Sequence, residues 1–316
     1  KPIVSTKASE ILGINDMPSG VNAVVAIAAY TGRNQEDSVI FNNGAIQRGL
    51  FSLTTYFTIE CEEKKRDTYS KETICLPPVS SSTFNRKIAN YSLLDEDGII
   101  RPRMGCMING VYHKDKGPST VVRKDDVLVG KVIHNGNKND EKTLIDASVI
   151  VQSDEEGTID RIETYITPNG YKLVKVVIAL FRKPIIGDKV ASRAAQKGTI
   201  GMIYPEEDMP FSQDTGVVPD IIINPNCIPS RMTVNQLIES VLGKVSCIEG
   251  VYGDATPFTE YSQNVASKIV SSNTLKKNNL DEHGWEVMIN GMTGERLVPI
   301  FVGIVYYQRL KHMVED

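Results

Sequence analysis

Four stretches of the chain gather polar side chains at spacings suited to phosphate or metal chemistry. Arg33-Asn34-Gln35-Glu36-Asp37-Ser38 sets two adjacent carboxylates between apolar segments. A hard divalent cation such as Mg²⁺ takes one or two carboxylates and completes its shell with water and phosphate oxygens; a solvated acidic turn is the other reading. Pro184 to Gly201 carries Lys189 and Lys197 eight positions apart among glycines. Two ammonium groups converging across a turn would serve as point charges for phosphate, and glycine lets backbone approach a ligand closely. A Walker loop is excluded because Gly198 follows the lysine instead of preceding it. A basic surface loop is the plainer alternative.

Asn224-Pro225-Asn226-Cys227-Ile228-Pro229-Ser230-Arg231-Met232-Thr233 ends where the strongest helical pattern begins, which places Arg231 at a helix N-terminus. Free backbone N–H groups there favour anions, and a guanidinium adds bidentate phosphate recognition; a salt bridge fixing the helix is the competing reading. Tyr306-Tyr307-Gln308-Arg309-Leu310-Lys311-His312 offers cations beside aromatics, suited either to a nucleic-acid backbone or to an amphipathic packing helix.

These stretches need elements to hold them. Val21 to Tyr30, Ser38 to Phe41, Leu50 to Ile59 and Val174 to Phe181 read as strands, and Asn42 to Arg48 as a short helix. Residues 60–170 shift to short β-like runs such as Val127 to Val132, divided by Pro77-Pro78, Gly117-Pro118 and Asn135-Gly136, the pattern of a smaller, loop-rich β domain. Thr233 to Ile248 places Val234, Leu237, Ile238, Val241, Leu242 and Val245 on one helical face, with Thr233 and Gln236 as a capping box and Gly250 as the stop. Asn264 to Ser271 predicts a further helix, Trp285 to Phe301 a hairpin turning near Asn290-Gly291, and Tyr306 to Val314 a terminal helix.

Composition sets the outer bounds. The 316 residues are 41% hydrophobic and 23% charged, ordinary globular usage that excludes disordered, collagen-like and disulfide-stapled classes. The formal charge of −4 gives no whole-chain signal for nucleic acid, although 171–200 is locally basic just after the acidic Asp154, Glu155 and Glu156. Five scattered cysteines without a C-x-x-C pair point to a reducing compartment and to no zinc within this chain. With no signal peptide and no apolar run of membrane-spanning length, a soluble intracellular protein without a membrane partner is expected. The start at Lys1-Pro2 and the end at Glu315-Asp316 read as those of an excised piece.

In this order, Asn34-Gln35-Glu36-Asp37-Ser38, Arg48-Gly49-Leu50-Phe51, Gly187-Asp188-Lys189, Gln196-Lys197-Gly198-Thr199-Ile200-Gly201, Glu207-Asp208-Met209-Pro210-Phe211, Ile228-Pro229-Ser230-Arg231-Met232-Thr233, Gly253-Asp254-Ala255 and Tyr306-Tyr307-Gln308-Arg309-Leu310 resemble the second-largest (beta-type) subunit of multisubunit DNA-dependent RNA polymerases. The eukaryotic, archaeal and large-DNA-virus forms are the most similar. The resemblance implies a mixed α/β, β-rich chain: a hybrid-binding domain on a double-psi β-barrel from 1–52 and 176–316, with a flap or wall insertion at 53–175. It implies that Lys189, Gln196, Lys197 and His312 meet the RNA–DNA hybrid, that Ser230 and Arg231 meet the incoming nucleotide, and that Lys189, Lys197 and Arg231 serve catalysis. Glu36 and Asp37 would approach a second, nucleotide-borne Mg²⁺.

The same resemblance implies the largest subunit as partner, since it holds the principal metal on an aspartate triad and no D-x-D-x-D cluster occurs here. Smaller assembly subunits, template DNA, transcript and nucleoside triphosphates complete the partners, and the chain alone is expected to be inactive. The setting would be the nucleus, or the cytoplasm or virion for a viral form. A non-catalytic scaffold on the same barrel is the alternative, and loss of Lys189, Lys197 or Arg231 would have favoured it. Three departures stand out: Ala194-Ala195 where a His-Gly pair commonly precedes the Gln-Lys-Gly motif, Val21 for a glutamine before Asn22, and Gln47 for an acidic residue before Arg48. With the divergent flap, they make the chain look more viral than nuclear.

Overall fold

A computed structural model describes residues 1–65, 70–79, 84–108, 111–114, 116–135, 143–152, 156–258 and 274–316. The helix expected at Asn264 to Ser271 and the acidic pair Asp154-Glu155 lie outside the described residues. The chain divides into two compact units, Lys1–Ser52 with Lys183–Asp316, and Leu53–Arg182. The second boundary follows Arg182 and not residue 175, because one strand runs unbroken over Lys172–Arg182.

The first unit is built on strands β1 (Val21–Ile27), β2 (Ser38–Asn42), β3 (Lys189–Ser192), β4 (Lys197–Tyr204), β5 (Phe211–Ser212), β6 (Ile221–Ile223), β7 (Trp285–Ile289) and β8 (Arg296–Arg309). Pairing runs β3-β4-β2-β6-β1-β8-β7-β5, and β3 also pairs with β8, so six of the strands close into a ring. Two pairs in the ring, β4 with β2 and β6 with β1, are parallel. The strands are apolar on both faces: Val39, Phe41, Ile221 and Ile223 pack into one cluster with Tyr307, and Ile40 and Ile222 into another with Met209 and Met288. A period of two distributes those residues between two cores, and a sheet covered on both sides reads as a continuous apolar run.

Helix α1 (Lys7–Ile11) follows the short strand Val4–Ser5, which pairs with Gly253–Asp254, and α2 (Asn43–Gln47) follows β2, capped by Asn42 Oδ1 accepting from Gly44 N at 2.8 Å. The short α3 (Cys227–Arg231) precedes α4 (Val234–Glu249), which ends at Gly250 in the left-handed region. The buried face of α4 differs from the expected stripe: Val234 and Ile238 are exposed, while Gln236, Ser240 and Gly243 are buried. Close approach explains the rotation, because a Cβ on Gly243 would stand 2.7 Å from the Ile304 carbonyl oxygen of β8. The capping box does not form; Thr233 makes no side-chain cap, and Gln236 accepts from Ser192 Oγ at 3.1 Å.

The expected terminal helix is instead the end of β8, a strand that continues through Tyr306 and Tyr307 to Arg309. Both tyrosines are almost fully buried, and aromatic and β-branched residues at alternating faces suit a strand between two cores.

In the second unit, strands Leu53–Glu62, Lys172–Arg182, Gly157–Ile166 and Val121–Val122 form a four-stranded antiparallel sheet. Its core gathers Cys61, Ile74, Leu94, Ile100, Leu128 and Val176. The run Val127 to Val132 is broken into Val127–Val129 and Lys131–Asn135, in separate sheets. The basic residues of 171–200 are thus shared between the two units, and Lys175 pairs with Glu60 at 2.5 Å.

Candidate nucleic-acid and nucleotide site

Lys189 opens β3 and Lys197 opens β4, and the hairpin register sets Lys189 opposite Thr199 and Lys197 opposite Ala191. Residues two apart share a strand face, so the two lysines project from one side of the hairpin as diagonal neighbours, about 7–8 Å apart at the backbone. Both are exposed. Lys189 N donates to the His312 carbonyl oxygen at 3.3 Å and its own carbonyl oxygen accepts from Leu310 N at 2.9 Å, which brings the exposed His312 beside it.

The carboxylate turn is held from two sides, by its own Asn34 and by β4. Asn34 is fully buried; its Nδ2 donates to the Ala28 carbonyl oxygen at 2.6 Å and its Oδ1 accepts from Tyr30 N at 3.4 Å. Glu36 and Asp37 both have positive φ, 49° and 67°, a conformation that costs non-glycine residues energy and persists only where surroundings enforce it. β4 provides that enforcement, since Thr199 N donates to the Asp37 carbonyl oxygen at 3.1 Å and a Cβ on Gly198 would stand 2.6 Å from that same oxygen. The glycine of the Gln-Lys-Gly motif therefore admits the chain's own turn, where the sequence suggested a ligand.

Arg231 is the last residue of α3, not the first of α4, and Met232 after it turns into the left-handed region. Its guanidinium forms an ion pair with the Asp37 carboxylate, the pair being partly open to solvent. The salt-bridge reading is thus realised, and the partner is a residue of the carboxylate turn. Ser230 is exposed and donates to the Asn226 carbonyl oxygen at 3.1 Å.

Gln196 is buried, and its Nε2 donates both to the Cys227 carbonyl oxygen at 3.0 Å and to Thr233 Oγ1. That single amide ties the residue before Lys197 to both ends of the segment that carries Arg231. Cys227 is half-buried, its Sγ donating to the Asn224 carbonyl oxygen at 2.7 Å, and burial pushes its thiol pKa up, against the nearby Arg231 guanidinium that draws it down.

An open cleft of about 440 Å³ lies between these elements, lined by Gln35, Glu36, Asp37, Asn224, Asn226 and Ser230. A narrower crevice beside Gln196 and Lys197 shares Asp37, Asn224 and Cys227 with it. Asn224, given no role from the sequence, shapes this floor by accepting from Asn226 N at 2.8 Å; the Asn-Pro-Asn spacing was its only signal.

Arg309 is not available to a nucleic-acid backbone. It is buried against Asp188, Nη2 to Oδ2 at 2.7 Å, and Nη1 donates to the Phe51 carbonyl oxygen at 3.0 Å. Asp188 also accepts from Ile185 N at 3.2 Å and Val314 N at 3.1 Å. One buried hub thus joins the Gly-Asp-Lys, Arg-Gly-Leu-Phe and Tyr-Tyr-Gln-Arg motifs and sets Lys189 at its edge.

Among the described residues no cluster of three or more His, Cys, Asp or Glu side chains converges. Glu36 and Asp37 supply at most two carboxylates, a donor set that fits only a cation arriving with phosphate and water ligands of its own. Among the described residues, too, no helix is long and apolar enough to cross a membrane.

Comparison with known proteins matches residues 1–316 to the family model described as RNA polymerase Rpb2, domain 6. The chain is 46% identical over 319 residues to a probable DNA-directed RNA polymerase II subunit RPB2 homolog of Invertebrate iridescent virus 3, covering 100% of this chain and 26% of that protein. It is 45% identical over 324 residues to the DNA-directed RNA polymerase II subunit RPB2 of Encephalitozoon cuniculi, with 100% and 26% covered. To the DNA-directed RNA polymerase subunit 2 of Acanthamoeba polyphaga mimivirus the identity is 43% over 321 residues, with 100% and 25% covered. The chain spans about a quarter of the length of these curated relatives. With the family model matched from the first residue to the last, the chain belongs to the RNA polymerase Rpb2 domain 6 family.

Proposed function

We propose that the chain is part of the catalytic core of a DNA-dependent RNA polymerase, binding the RNA–DNA hybrid and the incoming nucleoside triphosphate beside the largest subunit. The observation that carries this reading is that the Glu36-Asp37 turn and the helix bearing Arg231 line one open cleft, with Lys197 in an adjoining crevice that shares Asp37, Asn224 and Cys227 with it. Nucleotidyl transfer needs in-line positioning and neutralised phosphate charge more than covalent catalysis by protein groups. Lys189 and Lys197 neutralise phosphates at the transcript's 3′ end, with His312 flanking the hybrid. Arg231 and Ser230 engage the triphosphate. Gln196, buried and committed to α3, acts as a positioning residue.

Glu36 and Asp37 would hold a nucleotide-borne Mg²⁺ together with the largest subunit's ligands; when bound, that ion stabilises charge on the leaving phosphates. The closed six-stranded ring, with its two parallel pairings, is read as the double-psi barrel of the hybrid-binding domain, and the 53–182 unit as the flap or wall. Smaller assembly subunits and template DNA complete the assembly, in a nucleus or, for a viral form, in cytoplasm or virion. The isolated chain is inactive on this reading.

The test is template-directed, Mg²⁺-dependent RNA extension by the complete polymerase captured through the full-length protein, wild type against Arg231→Ala. Nucleotide use should weaken by about 2–3 kcal/mol with template affinity unchanged. Unaltered extension would return Arg231 to a structural role, and a captured complex without extension would favour the scaffold.

A further inference from the structure

The Leu53–Glu62 strand lies at the edge of the four-stranded sheet of the second unit and is paired along one side only. Its register with Lys172–Arg182 runs unbroken from Leu53 opposite Arg182 to Glu62 opposite Leu173. Glu63 N donates to the Lys172 carbonyl oxygen at 2.9 Å, and main-chain direction alternates along an antiparallel pair. The odd-numbered residues therefore bond inward, and the N–H and C=O groups of Thr54, Tyr56, Thr58 and Glu60 point away from the sheet. Lys131 Nζ, donating to the Glu62 carbonyl oxygen at 3.0 Å, marks the same outward row. Among the described residues nothing pairs with the main chain of the other four.

Open edges are ordinarily blunted by short strands, proline, charge or a bulge. Val121–Val122 at the far edge of the same sheet and Phe211–Ser212 at the edge in the first unit are two residues each. The Leu53–Glu62 edge is ten residues long, without proline or bulge, and carries no charge from Leu53 to Ile59. Tyr56 and Phe57 are exposed on its two faces, and Phe181, opposite Thr54, is exposed on the Tyr56 face. Glu60 closes the outward row; its carboxylate pairs with Lys175 yet is 54% exposed, which leaves it acceptor capacity for a second cation.

We propose that this edge receives an extended segment of a second polypeptide, another subunit of the assembly, as the fifth strand of the sheet. The segment is uncharged on both faces where it lies along Thr54 to Thr58 and carries a lysine or arginine where it meets Glu60. Main-chain hydrogen bonds to the outward row supply affinity, and the aromatic rings on the two faces select alternate apolar side chains. A second copy of this chain fits less well, because two-fold pairing through the same four residues sets Glu60 opposite Thr54 and gives its carboxylate no cation. The proposal rests on the reading of the chain as one subunit of a larger assembly and adds the surface through which a partner joins.

The experiment compares residue-resolved amide hydrogen exchange in the full-length protein alone and in the complete polymerase captured through it. The ladder amides of Thr55, Phe57 and Ile59 should be protected in both, while those of Thr54, Tyr56, Thr58 and Glu60 should gain protection only in the assembly. p-Benzoylphenylalanine placed at Tyr56 should cross-link to one stoichiometric subunit of the purified enzyme. Thr58→Pro removes an outward N–H and no ladder bond, and should weaken retention of that subunit roughly tenfold, with the protected ladder amides showing that the strand still forms. Thr58→Lys, a charge of the kind that keeps edges unpaired, should act in the same direction. Outward amides that exchange equally in the two states, cross-links confined to this polypeptide or to a second copy of it, or full retention of the subunit in both variants would overturn the proposal. A capture that yields no other subunit fails the assembly reading instead.

Discussion

The two units use buried polar groups for different ends. In the 53–182 unit, Asp146 accepts from Ser148 Oγ at 2.6 Å, from Ser148 N, from Lys87 N and from the Tyr91 hydroxyl, while Glu72 pairs with Lys131. These networks fasten loops onto the core. In the first unit, Asp188, Asn34 and Gln196 are equally buried, but each holds a segment that displays a charge: the exposed Lys189 and His312, then the exposed Glu36 and Asp37, then the exposed Lys197 and the half-buried Arg231. A buried hydrogen-bond network therefore does not by itself mark a site.

The contrast can be tested by loosening each network, starting where the loss is greatest. Asp188→Ala leaves the Arg309 guanidinium buried without its carboxylate, an arrangement that costs about 3–5 kcal/mol. Unfolding of the first unit can be followed by fluorescence of Trp285, the chain's only tryptophan, and the denaturation midpoint should fall accordingly. The tyrosine near-ultraviolet dichroism of the second unit should hold; a parallel loss would break the separation between units.

Next in size is Asp146→Ala, which leaves several donors of the second unit unsatisfied and should cost that unit about 1–3 kcal/mol with little effect on Trp285. Its pH dependence has two limbs. Burial pushes the Asp146 carboxyl up, but hydrogen bonds from Ser148, Tyr91 and the backbone outweigh it and hold the pKa below the usual 3.8. Its stabilisation is therefore present above that value and lost as pH falls through the lower folded pKa. Burial and the bond to Asp146 push the Tyr91 hydroxyl up to about 12, so that contribution is complete below pH 10 and lost as pH rises towards 12. Midpoints measured across pH should lose the alkaline limb in Tyr91→Phe and the acid limb in Asp146→Asn.

The smallest effect should come from Ala195→Gly. Ala195 has a φ of 58°, at a place where the resemblance leads one to expect glycine. Relief of about 1–2 kcal/mol of left-handed strain, less the ~0.4–1 kcal/mol of added unfolded-state freedom, should stabilise the first unit by about 0.5–1 kcal/mol. A decrease in the Trp285 midpoint would show that the Ala195 side chain is needed where it stands.

Much of the architecture was legible from residue periodicity. The apolar run through Ser38 to Phe41, the short helix read over Asn42 to Arg48 and the hairpin beginning at Trp285 all follow from interactions within a few residues. Errors arose where local and distant partners compete. Tyr306 to Val314 has a helical reading until Tyr307 is buried among Val39, Phe41, Ile221 and Ile223, and Thr233 with Gln236 has a capping-box reading until Gln196 and Ser192 claim them.

The order of the motifs, the residue types of the site and the family were determined by the sequence itself, because they are properties of composition and spacing along one dimension. Only the tertiary structure decided what those residues do for one another. Arg231 and Asp37 are 194 positions apart and Arg309 and Asp188 are 121 apart, so nothing local could specify their pairing. Closure of the ring brings them together, and a charge removed from bulk water takes its partner from whatever the fold places beside it.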